Sequence, residues 1–119
     1  FLNQSEIARA YVVADCQVLP SDHGETWGLV VNEGMACGLP AIVSDQVGCH
    51  LDLITPGETG EVYPMGKVST LASKMRALAA NPQQLLEMGR AARERVAGYS
   101  YDQVVKGTLA ALEYVGRRN

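Results

Sequence analysis

Three short apolar runs, each closed by turn-forming residues, constrain the fold of this chain more than any other feature. They lie at residues 16–20, 41–44 and 60–63, and the segment between the first two has the pattern of a helix. Such brief runs are typical of strands buried inside a parallel sheet. A right-handed strand–helix–strand crossover brings the loop after Pro20 and the start of the helix to the carboxyl edge of that sheet. The predicted class is therefore α/β, a parallel sheet with flanking helices.

The remaining sequence predicts helices, because apolar residues recur every three to four positions. Five helices are expected, at residues 5–11, 27–37, 69–81, 82–98 and 100–118. Ser5 is a candidate N-terminal cap of the first helix, Ser100 and Asp102 are candidate caps of the last, and Gly38 is the expected stop of the second helix. The apolar side of the last helix would consist of Val104, Val105, Leu109, Leu112 and Val115.

Composition excludes several classes of protein. The 119 residues are 47% hydrophobic and have a formal net charge of −3, which does not fit a disordered chain. Ten Lys and Arg against 13 Asp and Glu provide no general attraction for phosphate backbones, so no nucleic-acid partner is predicted. The apolar runs fall far short of the ~20 residues that span a bilayer, so no transmembrane segment is predicted.

The ends of the sequence and its cysteines indicate what kind of polypeptide and cellular location to expect. There is no initiator Met and residues 1–4 do not resemble a signal sequence, so we expect the chain to be cut from a longer polypeptide. Cys16, Cys37 and Cys49 are odd in number, lack Cys-x-x-Cys spacing and sit among apolar or glycine neighbours. We predict buried, reduced thiols and a cytoplasmic protein. No His and Cys spacing indicates a metal site, and no cofactor is predicted.

The segment between the first strand and the second helix carries the candidate chemistry. Free backbone N–H groups at a helix start, aided by the helix dipole, can hold an anion such as a diphosphate. Gly24 and Gly28 would let the main chain approach a ligand closely. Glu25 and Glu33, with seven residues between them, bracket the helix start. A carboxylate can accept hydrogen bonds from neighbouring hydroxyls of a sugar or a ribose.

The two glutamates also have an ordinary interpretation. Glu33 follows Leu29 by four residues, so both share the helix face nearest the loop. Even so, Glu25 could be a charge favoured near a helix start, and Glu33 a solvated helix residue. Spacing alone leaves both interpretations open.

The histidines next to this segment are equally open. His23 and His50 could each contact a ligand or simply be solvated. Cys49 beside His50 does not predict a nucleophile pair, because adjacent side chains point apart and no third residue orients them.

A longer pattern runs through residues 14–21 and 25–45, where the two glutamates are embedded in Glu25-Thr26-Trp27-Gly28-Leu29-Val30-Val31-Asn32-Glu33-Gly34-Met35-Ala36. It continues at residues 48–49, 52–54 and 57–60, so it covers nearly the whole chain. This pattern resembles the group 1 family of GT-B-fold retaining glycosyltransferases. The resemblance implies a Rossmann-like sheet, with residues 1–119 forming part of the C-terminal nucleotide-sugar-binding domain.

The resemblance also implies roles for individual residues. Glu25 would be the catalytic residue, contacting hydroxyls of the donor sugar as a nucleophile or, as we favour, as a positioning group. Glu33 would bind the nucleotide ribose. The main chain between them would lie against the sugar and the diphosphate, at Trp27, Gly28, Leu29 and Val30.

Members of that family transfer a sugar from a nucleotide-diphosphate sugar to an acceptor with retention, generally without a bound metal, and largely through electrostatic stabilisation of the leaving diphosphate. The expected partners are that donor, an acceptor glycan, lipid or small molecule, and an N-terminal domain of the same polypeptide. The expected location is the cytoplasm, with peripheral contact to the inner face of the membrane as an option. The isolated chain should be inactive. The alternative is a non-catalytic nucleotide- or sugar-binding or interaction module with the same fold.

This sequence departs from the family pattern in three respects. Gly34 stands where the family often has Ala, and Leu51 lies where it often has Pro nearby. The family's basic residues for the diphosphate lie upstream of the matching segment. Arg9 is the only basic residue here before Lys67, so the sequence shows no phosphate clamp.

Overall fold

The computed structural model describes residues 2–3 and 5–117, and it contains six helices and three strands within them. In chain order these are α1 Ile7–Val12, β1 Gln17–Leu19, α2 Leu29–Ala36, β2 Ala41–Ser44, α3 His50–Leu53, β3 Gly60–Tyr63, α4 Val68–Ala79, α5 Pro82–Ala97 and α6 Tyr101–Gly116. The expectations for Phe1, Gln4 and the helix end at Arg118 lie outside the described residues.

The strands form one parallel sheet in the order β1-β2-β3, which confirms the predicted α/β class. Val18 is paired with Ile42 and Ile42 with Glu61, so β2 lies in the centre. All four residues of β2 are buried. Because the strands are parallel, the loops after β1, β2 and β3 meet at one edge of the sheet.

Alternate residues of β2 face two apolar clusters, as expected for a sheet covered on both faces. Val43 belongs to the cluster that includes Val31 and Met35 of α2. Ile42 belongs to the other, with Leu78 of α4 and Met88 of α5. The packing therefore fixes α2 against the sheet next to the carboxyl edge.

Several helix ends follow the predicted chemistry. The Ser100 hydroxyl accepts the Gln103 N–H at 3.4 Å at the start of α6, which confirms Ser100 as the cap, whereas the other candidate, Asp102, lies inside the first turn. Gly38, just past α2, has a φ of 84°, the left-handed conformation that glycine supplies at helix ends.

Two local predictions were wrong, and one short helix was not predicted. Ser5 does not cap α1, because its hydroxyl donates to the Asn3 side chain at 2.6 Å and the helix begins two residues later. The second helix begins at Leu29, so Trp27 precedes it. The four-residue helix α3 was not predicted, since one turn is too short to show a periodic pattern.

The last helix has no buried residue. Its predicted apolar side is confirmed as one surface of the helix but is 55–64% exposed, at Val104, Val105, Leu109, Leu112 and Val115. None of the helices in the described ranges is both long and apolar enough to cross a membrane.

The thiols agree only in part with prediction. Cys16, Cys37 and Cys49 are all free. Only Cys49 is fully buried; the other two are half-buried, and Cys16 packs against the cluster that contains Ile42.

Candidate active site

Two loops at the carboxyl edge of the sheet are joined through their backbones. The Gly48 N–H donates to the Glu25 carbonyl at 3.2 Å, and the Cys49 N–H donates to the Trp27 carbonyl at 2.9 Å. A Cβ on residue 48 would overlap the Thr26 carbonyl, so only glycine allows this approach. The loop after β2 therefore fixes the path of the loop that leads into α2.

Ser44, the last residue of β2, fixes the same loop nearer its origin. Its buried hydroxyl donates to the Ser21 carbonyl and accepts the Gln46 N–H at 3.3 Å. A buried hydroxyl with both partners satisfied stabilises the geometry around it. The segment from Ser21 to Trp27 is thus anchored at both ends.

Gly28 forms the start of α2. Its φ of 93° places it in the left-handed region, and a Cβ there would lie 3.0 Å from atoms of both Leu19 and Val47. The Gly28 carbonyl accepts the Val31 N–H at 2.8 Å. No side chain caps this helix start, and its first turn carries no acidic residue. The first amides of α2 and the positive end of its dipole are therefore available to an anion.

The Trp27 side chain is committed to packing. Its Nε1–H donates to the Asn32 side-chain oxygen at 2.7 Å, and its ring lies 6.1 Å from that of Tyr99 with an angle of 44° between the planes. These two contacts fix the orientation of the Trp27 ring. Leu29 and Val30, the first two residues of α2, are 69% and 39% exposed.

Glu25 is half-buried in the anchored loop. Its N–H donates to the Asp22 carbonyl at 3.2 Å, and its own carbonyl accepts from Gly48. Within the described residues its carboxylate has no hydrogen-bond or ion-pair partner. A half-buried carboxylate without a partner can accept ligand hydroxyls without breaking an internal bond.

Glu33 lies on the exposed side of α2, whose buried residues are Val31, Gly34 and Met35. At 1.5 Å per residue it sits about 6 Å along the helix from Leu29. The Tyr11 hydroxyl of α1 donates to Glu33 Oε2 at 2.8 Å. The ordinary interpretation of Glu33 as a freely solvated residue therefore does not describe it fully.

Cys49 and His50 do not form a nucleophile pair. Burial, with a smaller contribution from the negative charges of Asp52 and Glu25, raises the pKa of the Cys49 thiol to about 11. That direction is opposite to the one that activates a thiol. His50 Nδ1 lies 2.7 Å from the Val47 carbonyl, which ties the ring to its own turn. His23 is exposed on the loop.

No cluster of three or more His, Cys, Asp or Glu side chains within residues 2–3 and 5–117 is arranged to hold a metal ion. Three residues that shape the site were not predicted from the sequence: Tyr11, Ser44 and Gly48, where the two loops approach closely. Ser44 and Gly48 both lie in the family pattern, but neither position indicated its contact. The hydrogen-bond partners of Tyr11 and Ser44 lie 22 and 23 residues away in the chain and could not be inferred from local spacing.

The parallel sheet and its flanking helices match the structures of GT-B-fold glycosyltransferases. A family model described as "Glycosyl transferases group 1" matches residues 1–95. The chain belongs to this family.

Individual proteins similar to this chain are also glycosyltransferases or related synthases by name. The D-inositol 3-phosphate glycosyltransferase of Kribbella flavida is 35% identical over 105 residues, covering 88% of this chain and 24% of the relative. The GDP-mannose-dependent alpha-mannosyltransferase of Mycobacterium tuberculosis is 38% identical over 114 residues, covering 95% of this chain and 29% of the relative. The solved structure of sucrose-phosphate synthase from Thermosynechococcus elongatus matches 97% of this chain and 29% of its own, with a TM-score of 0.82 and 30% identity. The chain thus spans about a quarter of the length of these proteins.

Proposed function

We propose that this chain is part of the C-terminal, nucleotide-sugar-binding domain of a glycosyltransferase that transfers a sugar from a nucleotide-diphosphate sugar to an acceptor with retention. Its family membership and the similarity to a mannosyltransferase named for GDP-mannose support this class of donor. The observation that carries the proposal is the uncapped start of α2, with Glu33 one turn inside it and Glu25 before it, whose carboxylate has no partner among the described residues.

Each residue has a distinct role in the proposed site. The amides of Leu29 and Val30 bind the diphosphate, and the positive end of α2 stabilises the charge that builds on it as the glycosidic bond breaks. Gly28 lets the main chain reach the phosphates. Glu33 accepts hydrogen bonds from the ribose hydroxyls. Glu25 binds hydroxyls of the donor sugar and holds its anomeric carbon in place, as a positioning group rather than a nucleophile.

The remaining partners would come from outside this chain. The apolar side of α6 is exposed. This exposure supports the proposal that further segments of the polypeptide, including an N-terminal domain, cover this surface and complete the cleft. That domain would bind the acceptor, which is a glycan, a lipid or a small molecule. The isolated chain would therefore not catalyse transfer. Three free thiols support a reducing location such as the cytoplasm, with contact at the inner membrane face as an option.

The test uses the complete polypeptide that contains this chain, with Glu25→Ala, Glu33→Ala and, as a matched control, Glu94→Ala on the exposed face of α5. Loss of hydrogen bonds to a carboxylate costs about 1.5–3 kcal/mol, so Glu33→Ala should weaken nucleoside-diphosphate binding roughly 10- to 100-fold. Glu25→Ala should abolish most transfer while nucleotide affinity stays within about threefold. Glu94→Ala should match the unaltered protein.

Normal transfer in both site variants would refute the assignment. Nucleotide binding that depends on Glu33, in a complete polypeptide that transfers no sugar from any donor, would favour the non-catalytic binding module instead.

A further inference from the structure

Helices α1 and α2 are joined by one specific side-chain bond. The Tyr11 hydroxyl donates to Oε2 of Glu33 at 2.8 Å, across 22 residues of sequence. Helix α1 contains no buried residue, so it has little apolar packing to hold it in place. The bond is therefore a defined contact in a region that is otherwise loosely packed.

The chemistry of this pair leaves Glu33 able to bind a ligand. An ionised carboxylate offers about four acceptor sites on two oxygens, and a tyrosine hydroxyl uses one of them. Oε1 and the remaining capacity of Oε2 stay open to hydroxyl donors. A long, exposed glutamate would otherwise sample several rotamers, and the hydrogen bond restricts that sampling before any ligand arrives.

Tyr11 remains a donor under physiological conditions. Partial burial, together with the hydrogen bond to Glu33 and the negative charge of that carboxylate, raises the pKa of Tyr11 to about 12. The phenol is thus protonated throughout the neutral range. Its hydroxyl cannot become a second negative charge that would repel Glu33.

We propose that Tyr11 is a positioning residue that holds the Glu33 carboxylate in the orientation that accepts the ribose hydroxyls of the donor nucleotide. This inference rests on the proposed function of Glu33. Tyr11 does not touch the nucleotide and acts only through Glu33. The competing role is structural: the same bond could serve only to fasten α1 to α2.

Ribose-modified nucleotides separate these two roles. In the complete polypeptide, UDP, GDP and ADP are titrated first, and the tightest binder is then compared with its 2′,3′-dideoxy counterpart. Tyr11→Phe should weaken binding of the ribonucleotide roughly three- to tenfold, because an unrestrained carboxylate must be ordered on binding. Binding of the dideoxynucleotide, which has no hydroxyls for Glu33, should change by less than about twofold.

The matched control is Tyr101→Phe, which removes the hydroxyl of a 92% exposed tyrosine and should change neither affinity. An unchanged ribonucleotide affinity in Tyr11→Phe would overturn the positioning role. Equal weakening of both nucleotides would also overturn it, in favour of the purely structural bond.

Glu33→Ala distinguishes failure of this inference from failure of the proposed function. If Glu33→Ala abolishes the difference between the ribo- and dideoxynucleotides, Glu33 binds the ribose, and the Tyr11→Phe result then decides the positioning role alone. If Glu33→Ala leaves that difference intact, the ribose role of Glu33 is refuted, and the inference about Tyr11 is overturned with it.

Discussion

Replacing Gly48 with alanine should force apart the two loops that form the candidate site. The new Cβ would overlap the Thr26 carbonyl oxygen and lie 2.5 Å from the Thr26 carbonyl carbon and 3.1 Å from the Trp27 Cα. Because non-bonded carbons normally stay about 3.5–4.0 Å apart, one loop must move by about 1 Å. The obstructing atoms are backbone, so no side-chain rotation can relieve the overlap.

The cost can be worked from what this shift breaks. The hydrogen bonds from Gly48 to the Glu25 carbonyl and from Cys49 to the Trp27 carbonyl would both lengthen beyond useful distance. Each contributes a net stabilisation of about 1 kcal/mol. Residual overpacking adds about 1–3 kcal/mol, less whatever the shift relieves. We expect the free energy of unfolding to fall by about 2–4 kcal/mol, a large part of a typical domain's stability.

Urea unfolding of the 119-residue chain, followed by fluorescence of its single tryptophan, Trp27, measures this loss. Gly24→Ala is the matched control in the same loop, because its Cβ would meet nothing closer than an Asp22 carboxylate oxygen at 3.4 Å. That variant should lie within about 0.5 kcal/mol of the unaltered chain. If Gly48→Ala were no less stable than Gly24→Ala, the claim that the two loops depend on this close approach would be refuted.

Three further predictions follow from individual contacts. Because burial raises the pKa of Cys49 to about 11, the free energy of unfolding should decline as pH rises from about 9 towards 11. Iodoacetamide at pH 8 should label Cys49 far more slowly in the folded chain than after unfolding; equal labelling rates would contradict its burial. The Met65 N–H donates to the Asp45 carboxylate and lowers its pKa, so the free energy of unfolding should fall as pH drops below about 4. Asp45→Asn should flatten that decline in acid-unfolding curves. Gly34→Ala should gain about 1 kcal/mol of helix propensity but lose about as much, because the new Cβ displaces the Gln17 amide from its hydrogen bond to α2. It should therefore raise the urea midpoint clearly only in a chain where Gln17 is also replaced by alanine.

The main elements could be predicted from sequence because their signals are local. Each strand is a short apolar run ended by a turn former, and α4, α5 and α6 repeat apolar residues over three or more turns. Helix α3 has one turn and so offers no period to detect. Ser5 failed as a cap because a short polar side chain can bond to a neighbouring residue as readily as to a helix amide, and here its partner is Asn3.

The candidate site was predictable only where the chain is continuous. The loop and the first turns of α2 follow one another in sequence, so the family pattern identifies Glu25 and Glu33 together. Their roles stay predictions. The bonds that hold them arise from tertiary packing, between Tyr11 and Glu33 and between the loop and residues 44–49. The contact between α1 and α2 that allows the Tyr11–Glu33 bond cannot be predicted from the spacing of residues along the chain.

The charges near the start of α2 bear on which groups of the proposed site this chain could supply. A nucleoside diphosphate is a multiply charged anion, whereas the start of α2 offers the equivalent of about half a positive charge. Glu25 and Glu33 add negative charge beside it. Arg9, the only basic residue before Lys67, is 79% exposed and pairs with Glu6 at 3.5 Å. Among the described residues that line a cavity together with Glu33, Arg93 is the one cation. Under the proposed function, further cations from other segments would balance the diphosphate. In that proposal this chain would provide the oriented amides and the hydroxyl acceptors, and affinity for the nucleotide should depend strongly on salt only when those other segments are present.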